Sequence, residues 1–259
     1  MRIIDLSSPV DAGAYETDPV VHEVLTPREG ALHMSSEMRE NFGIEFDPNE
    51  LPGGEFLSLD RMSLTTHTGT HIDAPSHYGW ESTTGTGTPR HIDEMPLSWF
   101  HGPGVVLDLT DAEAGVIGSA RLEKEFARIA HTPSPNDIVL LHTGADQRVG
   151  TRQYFTDFAG LDGPAVHLLL DLGVRVIGTD AFSLDAPFGN IIQRYQETGD
   201  RSVLWPAHVA GRDREYCQIE RLANLGAVPG PYGFQVSCFP VKITGAGASW
   251  ARAVAIVED

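Results

Sequence analysis

Short apolar runs, each closed by polar or turn residues, recur along the chain at Gly104–Leu109 (GVVLDL), Asp137–Thr143 (DIVLLHT) and Gly173–Asp180 (GVRVIGTD). Runs of this length without polar alternation predict strands buried on both faces. Between them the period changes. Ser119–Ala130 places Leu122, Phe126 and Ile129 on one face, with Ser119 as a cap, and Pro164–Leu172 reads as a helix ended by Gly173. Phe234–Ile243 (FQVSCFPVKI) and Trp250–Asp259 (WARAVAIVED) predict two more strands. The alternation predicts an α/β fold, one domain over residues 1–259, with a central mixed β-sheet flanked by helices. Residues 26–56 are polar and broken by proline and glycine, and read as a loop with one short helix near Ser35–Asn41. Residues 81–90 (ESTTGTGTPR) read as a second loop, placed to act as a lid.

One segment breaks this rhythm with chemistry. Ser63–Tyr78 reads SLTTHTGTHIDAPSHY and holds His67, His71, Asp73 and His77. All four positions are odd, so an extended chain would point them to one face. Gly69 and the threonines argue against a helical HxxxH, and Pro75 is expected to break a helix. Two imidazoles and a carboxylate suit Zn or Mn, and three protein ligands leave a position open for water or substrate. Downstream, the segment Trp205–Gly226 adds His208 and Glu220 as a weaker second ligand pair. The other histidines lack such context.

Composition narrows the partners. A formal net charge of −18 disfavours nucleic acid and anionic membrane surfaces. The first residues lack the basic and apolar regions of a signal peptide, and no apolar run reaches membrane-spanning length. Two cysteines, Cys217 and Cys238, give no disulfide framework and fit a cytoplasmic location; neither has a basic neighbour that would make it a nucleophile. The serine-hydrolase, Walker and dinucleotide motifs are absent from the sequence.

HTGTHIDAPSH resembles the HxGTHxDxPxH signature of the cyclase / kynurenine formamidase-like family, which includes isatin hydrolases and cyclases of aromatic polyketide pathways. The opening IIDLSSPV and the segment GVRVIGTDAFSLDAP are also similar to that family. The resemblance implies that His67, His71 and Asp73 bind metal. It further implies that Asp73 bridges to a second ion held by His208 and Glu220, and that His77 is the catalytic acid/base. One or two divalent ions per chain, a small-molecule substrate and a homodimer or larger homo-oligomer are implied as well. The long polar segment before the signature and residues 180–226 resemble most the polyketide ring cyclases of actinomycetes. The leading expectation is therefore aldol-type ring closure of an aromatic polyketide intermediate, with transient contact to a polyketide synthase. The alternative is hydrolysis of an aryl formamide or cyclic amide of the N-formylkynurenine or isatin type. A third reading is a catalytically silent metal-binding accessory protein. Phe42 in the insert, Trp80 after the signature, and Asp180 and Asp185 after a strand are expected to touch substrate.

Overall fold

The computed structural model describes residues 1–79 and 87–258. Among these, thirteen strands run in chain order. They are β1 (Arg2–Asp5), β2 (Val21–Leu25), β3 (Leu59–Ser63), β4 (His71–Asp73), β5 (His101–Asp108), β6 (Gly115–Ile117) and β7 (Ile138–His142). They continue with β8 (Ala159–Leu161), β9 (Val176–Thr179), β10 (Cys217–Glu220), β11 (Phe234–Ser237), β12 (Ala248–Trp250) and β13 (Val254–Val257). Six α-helices accompany them: α1 (Pro27–Phe42), α2 (Pro75–Tyr78), α3 (Ser119–Ile129), α4 (Gly163–Asp171), α5 (Phe188–Thr198) and α6 (Pro206–Asp213). None is long and apolar enough to cross a membrane.

The chain divides into two compact units. The larger holds residues 1–10, 14–16 and 66–259 and contains a nine-stranded mixed sheet in the order β1-β13-β11-β5-β7-β9-β10-β4-β12. β5, β7, β9 and β10 are parallel, and β4 enters antiparallel between β10 and β12. Alternate residues of the parallel strands feed two cores. Val105, Leu107, Val139, Leu141 and Ile177 meet apolar residues of α3, α4 and α6. Val106, Ile138, Leu140, Val176 and Ile219 meet Leu6, Ile72, Phe100, Leu222 and Val236 on the opposite face. Burial on both sides is why these strands read as unbroken apolar runs. The helix expected to be capped by Ser119 instead starts after Gly118 and has no side-chain cap, and Asp162 caps α4 through the Ala165 N–H.

The smaller unit, residues 11–13 and 17–65, pairs β2 antiparallel with β3. Its helix corrects the sequence expectation: α1 is sixteen residues long, not a short helix near Ser35–Asn41. Thr26 and Glu29 form a reciprocal capping box, Pro27 occupies the first helical position, and Gly43 closes the helix in the left-handed conformation. Gly30 lies so close to the Leu57 carbonyl that a side chain at 30 would clash with it.

Candidate metal centre

The signature segment is not one extended strand. Only His71–Asp73 is β, His67 lies in the preceding turn, and His77 sits on the single turn of α2. Gly69 permits the turn: its φ is +67°, and a Cβ there would meet the Val10 side chain at 2.8 Å. Pro75 starts α2 instead of preventing it, because the first helical position needs no N–H donor. The four side chains still converge. His67 and His71 rings are 4.9 Å apart, and His67 and His77 rings 4.4 Å apart.

Strand pairing brings in the distant ligands. In the β4–β10 register Glu220 faces His71 and Gln218 faces Asp73, which puts Glu220 beside His71 on one face of the sheet. His71 Nε2 lies 3.5 Å from Asp73 Oδ1 and 3.6 Å from Glu220 Oε2. His67 Nδ1 lies 3.1 Å from Asp73 Oδ1, and His77 Nε2 3.9 Å from Asp73 Oδ2. His208, from the first turn of α6, points Nε2 at Asp73 Oδ2 (3.8 Å) and Glu220 Oε1 (3.9 Å).

Two imidazoles are held in one tautomer from behind. His71 Nδ1–H donates to the Gly69 carbonyl at 2.9 Å, leaving Nε2 as an acceptor. His208 Nδ1–H donates to Asp185 Oδ2 at 2.5 Å. Asp185 also accepts the N–H groups of Ala207 and His208, tying its own loop to the start of α6. A carboxylate behind a ligating histidine fixes ring orientation and strengthens it as a donor. Burial pulls the His208 pKa down, but the Asp185 hydrogen bond and the neighbouring carboxylates outweigh this and push it up to about 9. Burial and the adjacent imidazoles hold His77 below its ordinary value. Burial disfavours the Asp73 carboxylate, yet the surrounding imidazoles keep it far below the usual carboxylate range.

The donor set fits a divalent cation. His71 Nε2 and both Asp73 oxygens are buried with no hydrogen-bond partner among the described residues, a costly arrangement for acceptors that all face inward. Two ligand triads share Asp73: His67, Asp73 and His77, and His71, Asp73 and Glu220, each with donor atoms within 4.8 Å of one another. The resemblance implies His67, His71 and Asp73 as ligands with His77 as the acid/base; by distance, His67 and His77 form one group close enough to share an ion and His71 and Glu220 the other, each with Asp73. A carboxylate with two free oxygens between two such triads suits a pair of ions, and imidazole with carboxylate oxygen suits borderline divalent metals.

The remaining expected residues fall elsewhere. Asp180 is buried and does not line the pocket: its oxygens accept the Thr143 hydroxyl and N–H and the Gly144 N–H. Asp185 holds His208 from behind and is not among the pocket-lining residues. Phe42 is largely exposed at the end of α1, in the smaller unit. Trp80 and residues 81–86 of the expected lid lie outside the described residues.

Sequence reasoning misses Arg221 and Glu16. The buried Arg221 guanidinium pairs with Glu16, donates to the His67 carbonyl, and lies over the rings of Tyr154, Phe155 and Phe182. The Arg221 carbonyl accepts the Thr70 hydroxyl at 2.5 Å. These bonds lock the turn before β4 to the end of β10 across 151 and 154 residues, and the Arg221–Glu16 pair spans 205, so no local pattern signals them.

The centre opens on a pocket of about 440 Å³. Its lining combines His67, His71, His77, His208 and Glu220 with the apolar Phe182, Phe188, Leu204, Trp205 and Val209. Phe188 and Trp205 meet edge to face at 5.3 Å.

The family described as "Putative cyclase" matches residues 4–186. The kynurenine formamidase of Salinibacter ruber (strain DSM 13855 / M31) is 29% identical over 205 residues, covering 76% of this chain and 79% of its own. Cyclase-like protein 1 of Arabidopsis thaliana is 25% identical over 213 residues, covering 80% and 72%. An isatin hydrolase A from Ralstonia solanacearum shares the fold with a TM-score of 0.74 at 22% identity, over 99% of this chain and 92% of that one. An isatin hydrolase bound to the product analogue thioisatinate gives a TM-score of 0.73 at 21% identity, over 99% and 92%. These likenesses support the broad family and lend no support to the narrower resemblance to actinomycete polyketide ring cyclases. Matched over most of its length, and with the family's histidine and aspartate signature in place, the chain belongs to the cyclase family and is an enzyme.

Proposed function

We infer that the enzyme hydrolyses an aryl amide, either an aryl formamide of the N-formylkynurenine type or an isatin-like cyclic amide. The observation that carries this reading is the mixed lining of the pocket, candidate metal ligands together with aromatic side chains. Aromatic side chains and the candidate ligands line one small cavity, so an aryl ring packed on Phe188 and Trp205 has its amide in the same cavity as His77. The formamidase relative supports it in sequence, and the isatin hydrolases share its fold. Ring closure of a polyketide, the leading expectation from sequence, yields to this hydrolytic alternative, and membership of an enzyme family displaces the silent accessory reading.

A divalent ion bound at Asp73 would supply Lewis acidity toward the amide carbonyl and acidify water beside it. The protein's own residues do the rest. Asp185 and the Gly69 carbonyl hold the His208 and His71 rings so that each presents Nε2 inward. The apolar lining residues would orient the ring. His77 Nε2, facing the pocket, takes a proton from the attacking water and delivers it to the aryl nitrogen as the C–N bond breaks. The net change is addition of one water across the amide.

The test is a side-by-side assay of N-formylkynurenine and isatin with protein of measured metal content. Turnover of one of them, abolished by EDTA and restored by Zn²⁺ or Mn²⁺, is expected. Bound metal with no turnover of either would sink hydrolysis and return ring closure to first place.

A further inference from the structure

We propose that Ser183 selects the substrate, donating its hydroxyl proton to a carbonyl carried on the aryl ring at the position beside the amide nitrogen. This assignment rests on the hydrolytic reading and narrows the class of amide that the pocket takes to ortho-acyl anilides.

Ser183 lies in the loop after β9 and lines the pocket, and the residue is only 4% exposed. Two of the described lining residues carry a hydroxyl, Tyr78 and Ser183. Tyr78 gives its proton to the Asp73 carbonyl at 3.2 Å. The Ser183 oxygen accepts the Asp185 N–H at 3.3 Å, but no described residue accepts its proton. A buried donor without an acceptor is costly, and an acceptor entering the pocket relieves that cost. Accepting one hydrogen bond also polarises the hydroxyl and strengthens it as a donor. The loop around it is fixed. The Arg221 N–H donates to the Ala181 carbonyl, the Leu161 N–H donates to the Leu184 carbonyl, and the Asp185 carboxylate accepts the Ala207 and His208 N–H groups. A donor held in this way needs little further ordering when its acceptor arrives.

The neighbours of Ser183 in the chain show which acceptor it meets. Phe182 packs against Phe188, with ring centroids 6.1 Å apart, and the Leu184 N–H donates to Glu220 Oε1 at 2.9 Å. Ser183 therefore follows an aromatic contact and precedes a contact to a candidate metal ligand. On an aryl amide the ring carbon next to the nitrogen holds the corresponding place, between the rest of the ring and the bond that breaks. N-formylkynurenine and isatin both carry a ketone on that carbon. The amide itself is served by the centre and by His77, which leaves the ketone as the acceptor for a neutral donor. A site built to hydrogen-bond a substrate group rejects the analogue that lacks it, because the protein donor is then left unpaired.

The experiment compares two formanilides of matched shape, N-(2-acetylphenyl)formamide and N-(2-isopropylphenyl)formamide, of which only the first carries the ketone. Metal-loaded wild type and Ser183→Ala are assayed on both, with metal content measured by elemental analysis. The selectivity ratio, kcat/KM for the ketone substrate over that for the isopropyl one, is expected to fall about 5–10-fold in Ser183→Ala, the worth of one neutral hydrogen bond. Intrinsic reactivity cancels in this comparison. A merely structural role, felt through the Asp185 N–H and His208, would lower both substrates together. An unchanged ratio would overturn the proposal while leaving aryl-amide hydrolysis intact. The wild type gives a check that needs no variant. Its ratio is expected to exceed, by about fivefold, the ratio of hydroxide-catalysed rate constants for the same two amides, and equality of the two would also overturn the proposal. Metal-bearing wild type that hydrolyses neither formamide nor isatin would overturn both this assignment and the hydrolytic reading.

Discussion

At the scale of single residues, the centre depends on groups that never meet the metal. Asp185 is fully buried, and it fixes the tautomer of His208 through Nδ1. Replacing it by Asn keeps the shape but removes the charge that orients and strengthens the ring. Loss of such a partner costs about 10–100-fold in metal affinity, so Asp185→Asn is expected to bind metal that much more weakly by competition with a chelator. Unchanged affinity would show that the helix alone orients His208. His77→Ala separates the two roles open to that ring. As the proton carrier it would lose turnover while metal content by elemental analysis stays near wild type; a drop of one ion per chain would make it a ligand. The tight spacing of His67, His71, Asp73 and His77 makes this half of the centre legible in the sequence, because four chemically matched side chains fall within eleven positions. Arg221 and Glu16 escape it, since their meaning arises only where chain segments 205 residues apart touch.

At the scale of elements, the strands of the sheet are legible and the signature's own geometry is not. Double-sided burial writes β5, β7 and β9 into the sequence as apolar runs. The turn–strand–helix course of residues 66–78 is hidden because odd spacing fits an extended chain equally well and because proline breaks helix interiors yet begins helices. The same ambiguity conceals most of α1, whose signal is a capping box and not an apolar stripe. One contact between elements is open to test. Gly160 of β8 lies against the chain at Asp185, where a Cβ would fall 2.2 Å from the carbonyl carbon. Gly160→Ala is expected to displace that loop, costing about 1–3 kcal/mol of stability as overpacking does and lowering metal affinity through Asp185. A stable variant with normal metal content would show that the loop can shift without moving His208.

At the scale of the whole molecule, a net charge of −18 and a buried pair of carboxylates work against the metal-free state. Metal binding relieves the second of these. Saturation at a hundredfold excess over Kd adds about 2.7 kcal/mol, which for a chain of this size raises the thermal midpoint by roughly 5–10 °C. A midpoint indifferent to EDTA would contradict the centre. The thiols should be silent in the folded protein: Cys217 and Cys238 are fully buried, and burial pushes the Cys238 thiol up to about 12. Ellman's reagent at pH 8 is expected to find no reactive thiol before unfolding and two after. The bond from the Thr70 hydroxyl to the Arg221 carbonyl spans 151 residues and closes beside the centre. Its two halves lie far apart in the nascent chain, and pairings of such long range form late and slowly. An ion therefore has no complete nest to enter until folding is nearly over. Zn²⁺ should leave the refolding rate almost untouched and slow unfolding instead, so that the metal governs how long the enzyme survives and not how soon it appears.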